Sequence, residues 1–186
     1  MFIQTEETPN PNTLKFLPGK LVMGAGTIDF RTKEAAKRSP LASKLFDING
    51  VSGVFLGSNF ISISKETSIE WSTLIPYIIE GVTIHFSSQT PILNGLLDTK
   101  TSPSPFETLD PLSKQIVEIL ETRVRPAVAQ DGGDITFEKF IDGVVYLQMK
   151  GACSGCPSSA VTLKNGIENM LRHYVPEVKE VRAITI

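Results

Sequence analysis

The two cysteines of the chain, Cys153 and Cys156, are separated by one serine and one glycine. Thiols at this spacing can share one metal centre or form one redox disulfide. A four-thiolate site needs two further cysteines, and the chain contains none. The pair therefore works as a dithiol, or two chains come together and share what they bind.

Both cysteines are expected just ahead of a helix. Gly151 and Gly155 allow the backbone to turn so that both sulfurs point to one spot, and Pro157 suits a first helical turn. Cys156 would then lie near the helix N-terminus, where unpaired N–H groups and the helix dipole lower the pKa of a thiol. The same environment stabilises an anionic thiolate complex such as an iron–sulfur cluster.

Three chemistries remain open for this pair. A thiol–disulfide oxidoreductase of the thioredoxin type needs a larger fold than the thirty residues (186 − 156) that follow Cys156. A zinc site needs two more ligands, but His85 lies in another predicted domain and His173 lies roughly 25 Å along the next helix. A symmetric dimer with four shared cysteines needs nothing that the chain lacks.

Charge and hydropathy exclude several classes of partner. With 18 basic and 20 acidic residues the chain lacks the basic surface of a nucleic-acid-binding protein. Its first residues have neither the basic and apolar regions of a signal peptide nor the composition of a transit peptide. No apolar run reaches membrane-spanning length. We therefore expect a soluble, intracellular protein with no nucleic-acid or membrane partner.

A change of composition predicts two domains. Residues 87–91 and 99–105 are rich in Ser, Thr and Pro, which is typical of a semi-extended spacer. We predict an α+β protein with a first domain at residues 1–87, a linker at 88–108 and a second domain at 109–186. The apolar residues 92–97 inside the linker are expected to dock transiently.

In the first domain, residues 13–17, 51–56 and 60–64 have the pattern of strands, and the last two form a hairpin. Ser39 and Pro40 predict the start of a short helix over residues 41–46. Thr67 with Glu70 resembles a capping box for a second helix, which Pro76 should kink. Its predicted buried face comprises Trp71, Leu74, Ile75, Ile78, Ile79 and Val82.

The second domain has the predicted order α-β-β-α-β. Its first helix begins at Asp110-Pro111, bends at Pro126 and ends at the glycines of residues 131–134. Asp131 and Asp134 are interpreted as part of this helix stop. A hairpin turns at Asp142-Gly143. The apolar positions of the helix after the cysteines are Val161, Leu163, Ile167, Met170, Leu171 and Val175.

Several longer segments match a known pattern. In the second domain these are Gly151–Ser159, Thr162–Lys164, Gly166–Glu168, Val175–Val178, Arg125-Pro126 and Asp131–Asp134; in the first, Thr8–Phe16. The second domain resembles the C-terminal domain of NifU, the Nfu-type iron–sulfur scaffold. The first resembles the N-terminal domain of mitochondrial-type and related bacterial Nfu proteins. The cysteine-rich assembly domain of full-length NifU is absent, which favours a later carrier.

The resemblance implies that Cys153 and Cys156 of two subunits bridge an iron–sulfur cluster, usually [4Fe–4S], which is passed to apo-proteins. It implies a homodimer when loaded, upstream cluster-assembly proteins as further partners, and binding and transfer instead of enzymatic turnover. The expected compartment is the bacterial cytoplasm, with the mitochondrial matrix as the second choice. The first domain, which has no cysteine, is expected to recognise client or partner proteins.

Overall fold

The computed structural model describes residues 2–95, 109–154 and 157–184, with the side chains of residues 157–160 excepted. The chain divides into two compact units, Met1–Asp98 and Thr99–Ile186. Each unit combines helices with one small sheet, which confirms the predicted α+β class. Within the described ranges, no helix is both long enough and apolar enough to cross a membrane.

The first unit is built on a five-stranded sheet in the order β1-β2-β5-β4-β3. All its neighbouring strands are antiparallel. The predicted hairpin is present as β4 and β5, whereas β1 and β3 were not predicted. The strands are β1 Gln4–Glu7, β2 Thr13–Leu17, β3 Ile28–Phe30, β4 Val51–Leu56 and β5 Ile61–Lys65.

Three helices pack on the core of this sheet: α1 Lys33–Ala36, α2 Pro40–Phe46 and α3 Trp71–Ser87. Helix α2 starts as predicted, because Ser39 Oγ accepts a hydrogen bond from the Ala42 N–H at 3.1 Å. Helix α3 buries Leu74, Ile78 and Val82 and continues through Pro76. The predicted spacing of its apolar face is therefore confirmed.

The predicted capping box at Thr67 is wrong. Helix α3 begins at Trp71, and its N-cap is Glu70, whose side chain makes no capping hydrogen bond. Residues 67–69 form a turn instead, held by a hydrogen bond from the Ile69 N–H to the Glu66 carbonyl at 3.2 Å. The side chain of Ile69 packs against the core, which keeps this segment out of the helix.

Part of the predicted linker contacts the first unit. Ile92 and Leu93 pack against its core. Ser39 Oγ donates to the Ile92 carbonyl at 2.5 Å, and the Asn94 N–H donates to the Arg38 carbonyl at 2.8 Å. Residues 96–108 lie outside the described residues, so the domain boundaries at 87–88 and 108–109 stay a prediction.

The second unit has a three-stranded sheet in the order β6-β7-β8, formed by β6 Gly133–Ile141, β7 Val144–Gly151 and β8 Glu180–Ile184. Strands β6 and β7 form an antiparallel hairpin, and β7 pairs with β8 in parallel. The predicted turn is confirmed, since Asp142 and Gly143 both adopt positive φ, at 53° and 83°. Val145, Leu147 and Met149 of β7 point into the core.

The helices of the second unit are α4 Pro111–Ile119, α5 Arg125–Gln130 and α6 Pro157–Tyr174. Asp110 caps α4 by accepting from the Leu112 and Ser113 N–H groups, both at 3.1 Å. A π-helical turn, Leu120–Val124, joins α4 to α5. The α-helical hydrogen bonding is thus interrupted just before Pro126, which has no N–H with which to continue it.

Helix α6 buries Ile167 and Leu171 as predicted. The prediction that Val161 also faces the core is wrong, because its side chain is 56% exposed. At 3.6 residues per turn, Val161 lies about 120° around the helix from Ile167. The order α-β-β-α-β is confirmed.

Candidate metal centre

Cys153 lies in the turn between β7 and α6. Strand β7 ends at Gly151, and the turn is closed by Ser154, whose N–H and Oγ both donate to the Gly151 carbonyl, at 3.1 and 2.9 Å. Helix α6 starts at Pro157, the position predicted from the sequence. Cys156 lies outside the described residues, so the geometry of the pair stays a prediction.

Two glycines hold the other side of the Cys153 turn. Gly132 follows the end of α5 with a φ of +78°, and its carbonyl accepts a hydrogen bond from the Ala152 N–H at 3.2 Å. Gly133 begins β6 against Cys153. A Cβ at Gly133 would meet Cys153 Sγ well inside 3.0 Å, and it would meet the Lys150 carbonyl oxygen at 2.8 Å. The thiol therefore occupies the space that any side chain at residue 133 would need.

Burial and charge both keep the Cys153 thiol protonated. Its side chain belongs to the core of the second unit and is 7% exposed. Burial raises the pKa of Cys153 to about 12, and the negative charges of Asp131 and Asp134 act in the same direction. Because the thiolate is the metal ligand, binding a metal here must release a proton and change the surroundings of the sulfur.

An ion pair between the partly exposed Arg125 and the buried Asp134 supports the Cys153 turn. Arg125 Nε and Nη2 donate to the two carboxylate oxygens of Asp134, at 2.7 and 2.8 Å. Arg125 Nη1 also donates to Glu121 at 2.7 Å. The paired carboxylates raise the pKa of Arg125. The pair therefore ties the helix after the π-helical turn to the start of β6, next to Gly133 and Cys153.

The sequence prediction missed this pair because Arg125 and Asp134 are nine residues apart across a helix end. Asp134 was interpreted only as part of the helix stop. Asp134 is 3% exposed, and a buried charge needs a partner. That burial is seen only in the folded chain, so the sequence carried no signal for the pair. The prediction of a helix stop itself is confirmed, because α5 ends at Gln130.

The two histidines lie in separate surroundings, each beside an aromatic ring. His85 belongs to the first unit, where it is buried and lies edge-on to Phe86. His173 is in the last turn of α6, edge-on to Tyr174. Over the described parts of the chain, no group of three or more His, Cys, Asp or Glu side chains is arranged to hold a metal ion.

Two family profiles match the chain. The NifU-like domain matches residues 116–182, and the N-terminal domain described as "Scaffold protein Nfu/NifU N terminal" matches residues 3–89. The human protein "NFU1 iron-sulfur cluster scaffold homolog, mitochondrial" is 47% identical over 185 residues, which cover 99% of this chain and 72% of the human protein. The chain belongs to the Nfu family.

A second Nfu relative agrees with this assignment. A Drosophila persimilis protein of the same name is 50% identical over 188 residues, covering 99% of this Nfu chain and 65% of the fly protein. The two profiles and these relatives confirm the predicted resemblance. Among solved structures, that of a NifU-like protein from Saccharomyces cerevisiae is 26% identical, with a TM-score of 0.47, and covers 52% of this chain and 87% of that protein. The human and fly relatives are named as mitochondrial proteins.

Proposed function

We propose that this Nfu chain is an iron–sulfur cluster scaffold and carrier. In this proposal, Cys153 and Cys156 of two copies hold one cluster, which is then delivered to apo-proteins. The observation that carries the proposal is the supply of ligands: a chain with two cysteines has half the thiolates of a four-thiolate cluster. The names of the human and fly relatives, both iron–sulfur cluster scaffolds, support it.

The cluster is a cargo and not a resident cofactor. A cluster held half by each chain leaves when the dimer opens or when thiolates of a client replace those of the carrier. We propose [4Fe–4S] as the cluster form. The state of Cys153 is compatible with release: once the cluster leaves, the buried sulfur recovers its proton, because its pKa is about 12.

The alternative is a thiol–disulfide oxidoreductase that uses the same two cysteines. Attacking thiols in such enzymes have a lowered pKa, and burial raises the pKa of Cys153, so Cys156 would have to be the attacking thiol. We propose a binding and transfer protein with no turnover of its own, because the human and fly relatives are named as scaffolds. Reduction of insulin disulfides by iron-free monomer would favour the oxidoreductase instead.

The test is anaerobic reconstitution with ferrous iron and sulfide, followed by absorption spectroscopy and size-exclusion chromatography. The wild-type chain should take up iron and sulfide and elute as a dimer, while Cys153→Ala should do neither. Ser154→Ala is the matched control, since it changes the same turn but leaves both thiols. Addition of an apo-ferredoxin to the loaded dimer should move the cluster and return the carrier to its apo form. Equal iron uptake by Cys153→Ala would contradict the proposal.

Three further predictions complete the proposal. The first unit recognises client or cluster-assembly proteins. The functional boundaries are residues 1–87, 88–108 and 109–186. The compartment is the mitochondrial matrix, because the relatives named above are mitochondrial, whereas nothing in these comparisons supports the bacterial cytoplasm. Deletion of residues 1–87 should slow delivery to some clients without preventing reconstitution of the second unit.

A further inference from the structure

Strand β1 forms one edge of the sheet in the first unit. It pairs with β2 on one side only, and within the described residues no strand pairs with its other side. All four of its residues, Gln4–Glu7, are exposed. An edge strand presents backbone N–H and C=O groups that another extended chain can pair with. β1 has neither a proline nor a bulge; what limits pairing at this edge is its length of four residues and the charges of Glu6 and Glu7.

A cavity with large apolar side chains lies at the N-terminal end of β1. This cavity of about 630 Å³ is lined by seven residues, including Gln4, Leu17 and Leu21. Two of its lining side chains are large, apolar and strongly exposed: Phe2 at 82% and Leu21 at 71%. Lys20 adds a positive charge to this end. We call this cavity the Leu21 socket.

A second socket lies at the other end of the same strand. A cavity of about 260 Å³ is lined by Glu7, Leu14, Trp71 and the Thr8–Pro11 turn. Trp71 is fixed there, because its indole N–H donates to the Pro11 carbonyl at 3.0 Å. We call this cavity beside Trp71 the Trp71 socket. A third cavity, of about 430 Å³, runs along β1 itself and is lined by residues 2–6.

The strand register relates the two sockets. Gln4 lies opposite Leu17, so these two side chains share one face of the sheet. Glu7 lies opposite Leu14, and these two side chains also share a face. Residues three apart on a strand point to opposite faces. A chain paired with β1 in the matching register would place one side chain beside Gln4, on the face of the Leu21 socket, and another, three residues away, beside Glu7, on the face of the Trp71 socket. The two positions are about 10 Å apart.

Charge selects what can pair there. Glu7 lines the Trp71 socket, and Glu6 lies on the opposite face of the strand, bridged to Lys15 at 3.0 Å. In antiparallel pairing of two copies of Gln4–Glu7, these glutamates would lie opposite Gln4 and Thr5 of the other copy and would gain no opposite charge. An incoming segment with Lys or Arg opposite these carboxylates would instead gain opposite-charge pairs.

We propose that the free edge of β1 docks an extended segment of a partner protein. Such a segment carries two apolar residues three positions apart, with a basic residue opposite Glu6 and an acidic residue near Lys20. It adds a sixth strand to the sheet and fills both sockets. This docking edge deepens the proposed function, because it is the surface on which the first unit would recognise a partner. Docking at this edge does not require a bound cluster.

The probe is the capped peptide Lys-Leu-Lys-Thr-Leu-Asp, titrated into the full-length apo chain. Trp71 is the only tryptophan and lines one socket, so its fluorescence reports occupancy. The peptide should bind saturably below about 1 mM, and a permuted peptide with its two leucines adjacent should bind more weakly. Leu21→Asp should weaken binding at least about tenfold. Glu6→Lys should also weaken it, and replacement of the peptide lysines by glutamates should restore binding.

The matched control is Tyr77→Asp, which places the same charge on an exposed position of α3 outside these cavities. It should leave binding unchanged, and circular dichroism establishes that each variant folds. The proposal is overturned if the two peptides bind with equal affinity, if the fluorescence of Trp71 does not respond, or if Leu21→Asp binds the peptide as the wild type does. It is also overturned if the wild-type chain binds no peptide but self-associates, and Leu21→Asp abolishes that self-association; the occupant would then be a second copy. Anaerobic cluster loading of Leu21→Asp should match that of the wild type, which separates this result from the proposed function.

Discussion

Replacement of Gly133 by alanine tests whether the Cys153 thiol is held by close packing. The added Cβ would meet the Lys150 carbonyl oxygen at 2.8 Å and Cys153 Sγ within 3.0 Å. Non-bonded heavy atoms rest at about 3.5–4.0 Å, so the sulfur must move by at least about 0.5 Å. Gly133 is not among the residues with positive φ, so the effect of alanine comes from these close contacts and not from an unfavourable φ.

Overpacking of this kind costs about 1–3 kcal/mol of unfolding free energy. In a unit of this size, each kcal/mol lowers the melting temperature by about 4–8 °C. We therefore expect Gly133→Ala to melt below the wild-type apo protein and to take up less iron on reconstitution. Differential scanning calorimetry and iron analysis measure the two effects.

The matched control is Gly166→Ala in the same unit. A Cβ at Gly166 meets nothing within 4 Å, and the residue lies in the middle of α6. Alanine there should raise stability by about 0.5–1 kcal/mol and leave iron uptake unchanged. A Gly133→Ala protein with the melting temperature and iron content of the wild type would refute the packing argument.

Three further substitutions test the charges and the buried histidine. Asp131→Asn should lower the pKa of Cys153, because it removes a negative charge that opposes the thiolate; the alkylation rate of Cys153 near pH 9, followed by mass spectrometry, should rise. Arg125→Met removes the guanidinium that pairs with the buried Asp134 carboxylate but leaves the Ile135 N–H that also donates to it, and denaturant titration should show a loss of about 1.5–3 kcal/mol. His85 has a lowered pKa because of burial and of Lys44, so unfolding free energy should fall as pH drops below about 6.5, and His85→Leu should reduce that slope.

The sign of the histidine effect follows from proton uptake. The unfolded chain binds a proton at His85 more readily than the folded chain, so the stabilisation is fully present above the unfolded pKa and is lost at lower pH. For the arginine, the control is Arg182→Met, which removes an exposed pair with Glu180 and should change stability little. The ion-pair prediction is contradicted if Arg125→Met is as stable as Arg182→Met. The other two are contradicted if Asp131→Asn leaves the alkylation rate of Cys153 unchanged, or if the unfolding free energy has the same pH slope in the wild type and in His85→Leu.

Local physics made much of the fold predictable. The caps at Ser39 and Asp110 and the turn at Asp142-Gly143 depend on neighbouring residues only, and each lies where the sequence placed it. The same holds for the 3.6-residue spacing of α3. Strand β1 was missed because its four exposed polar residues carry no alternation; only its pairing with β2 makes it a strand.

The surroundings of the candidate site could not be predicted from the sequence. The spacing of the two cysteines left three chemistries open, the resemblance to Nfu proteins implied a shared cluster, and the helix expected after them begins at Pro157. The Arg125–Asp134 pair and the contact between Gly133 and Cys153 join segments that meet only after folding. The raised pKa of Cys153 has the same origin, because it results from burial in a core that no local pattern describes.

The most direct test of the shared cluster is native mass spectrometry of the protein after anaerobic reconstitution. The account predicts a loaded species with the mass of two chains plus one cluster, alongside apo chains without iron. A species with the mass of one chain plus one complete cluster, and no small-molecule thiol attached, would contradict it.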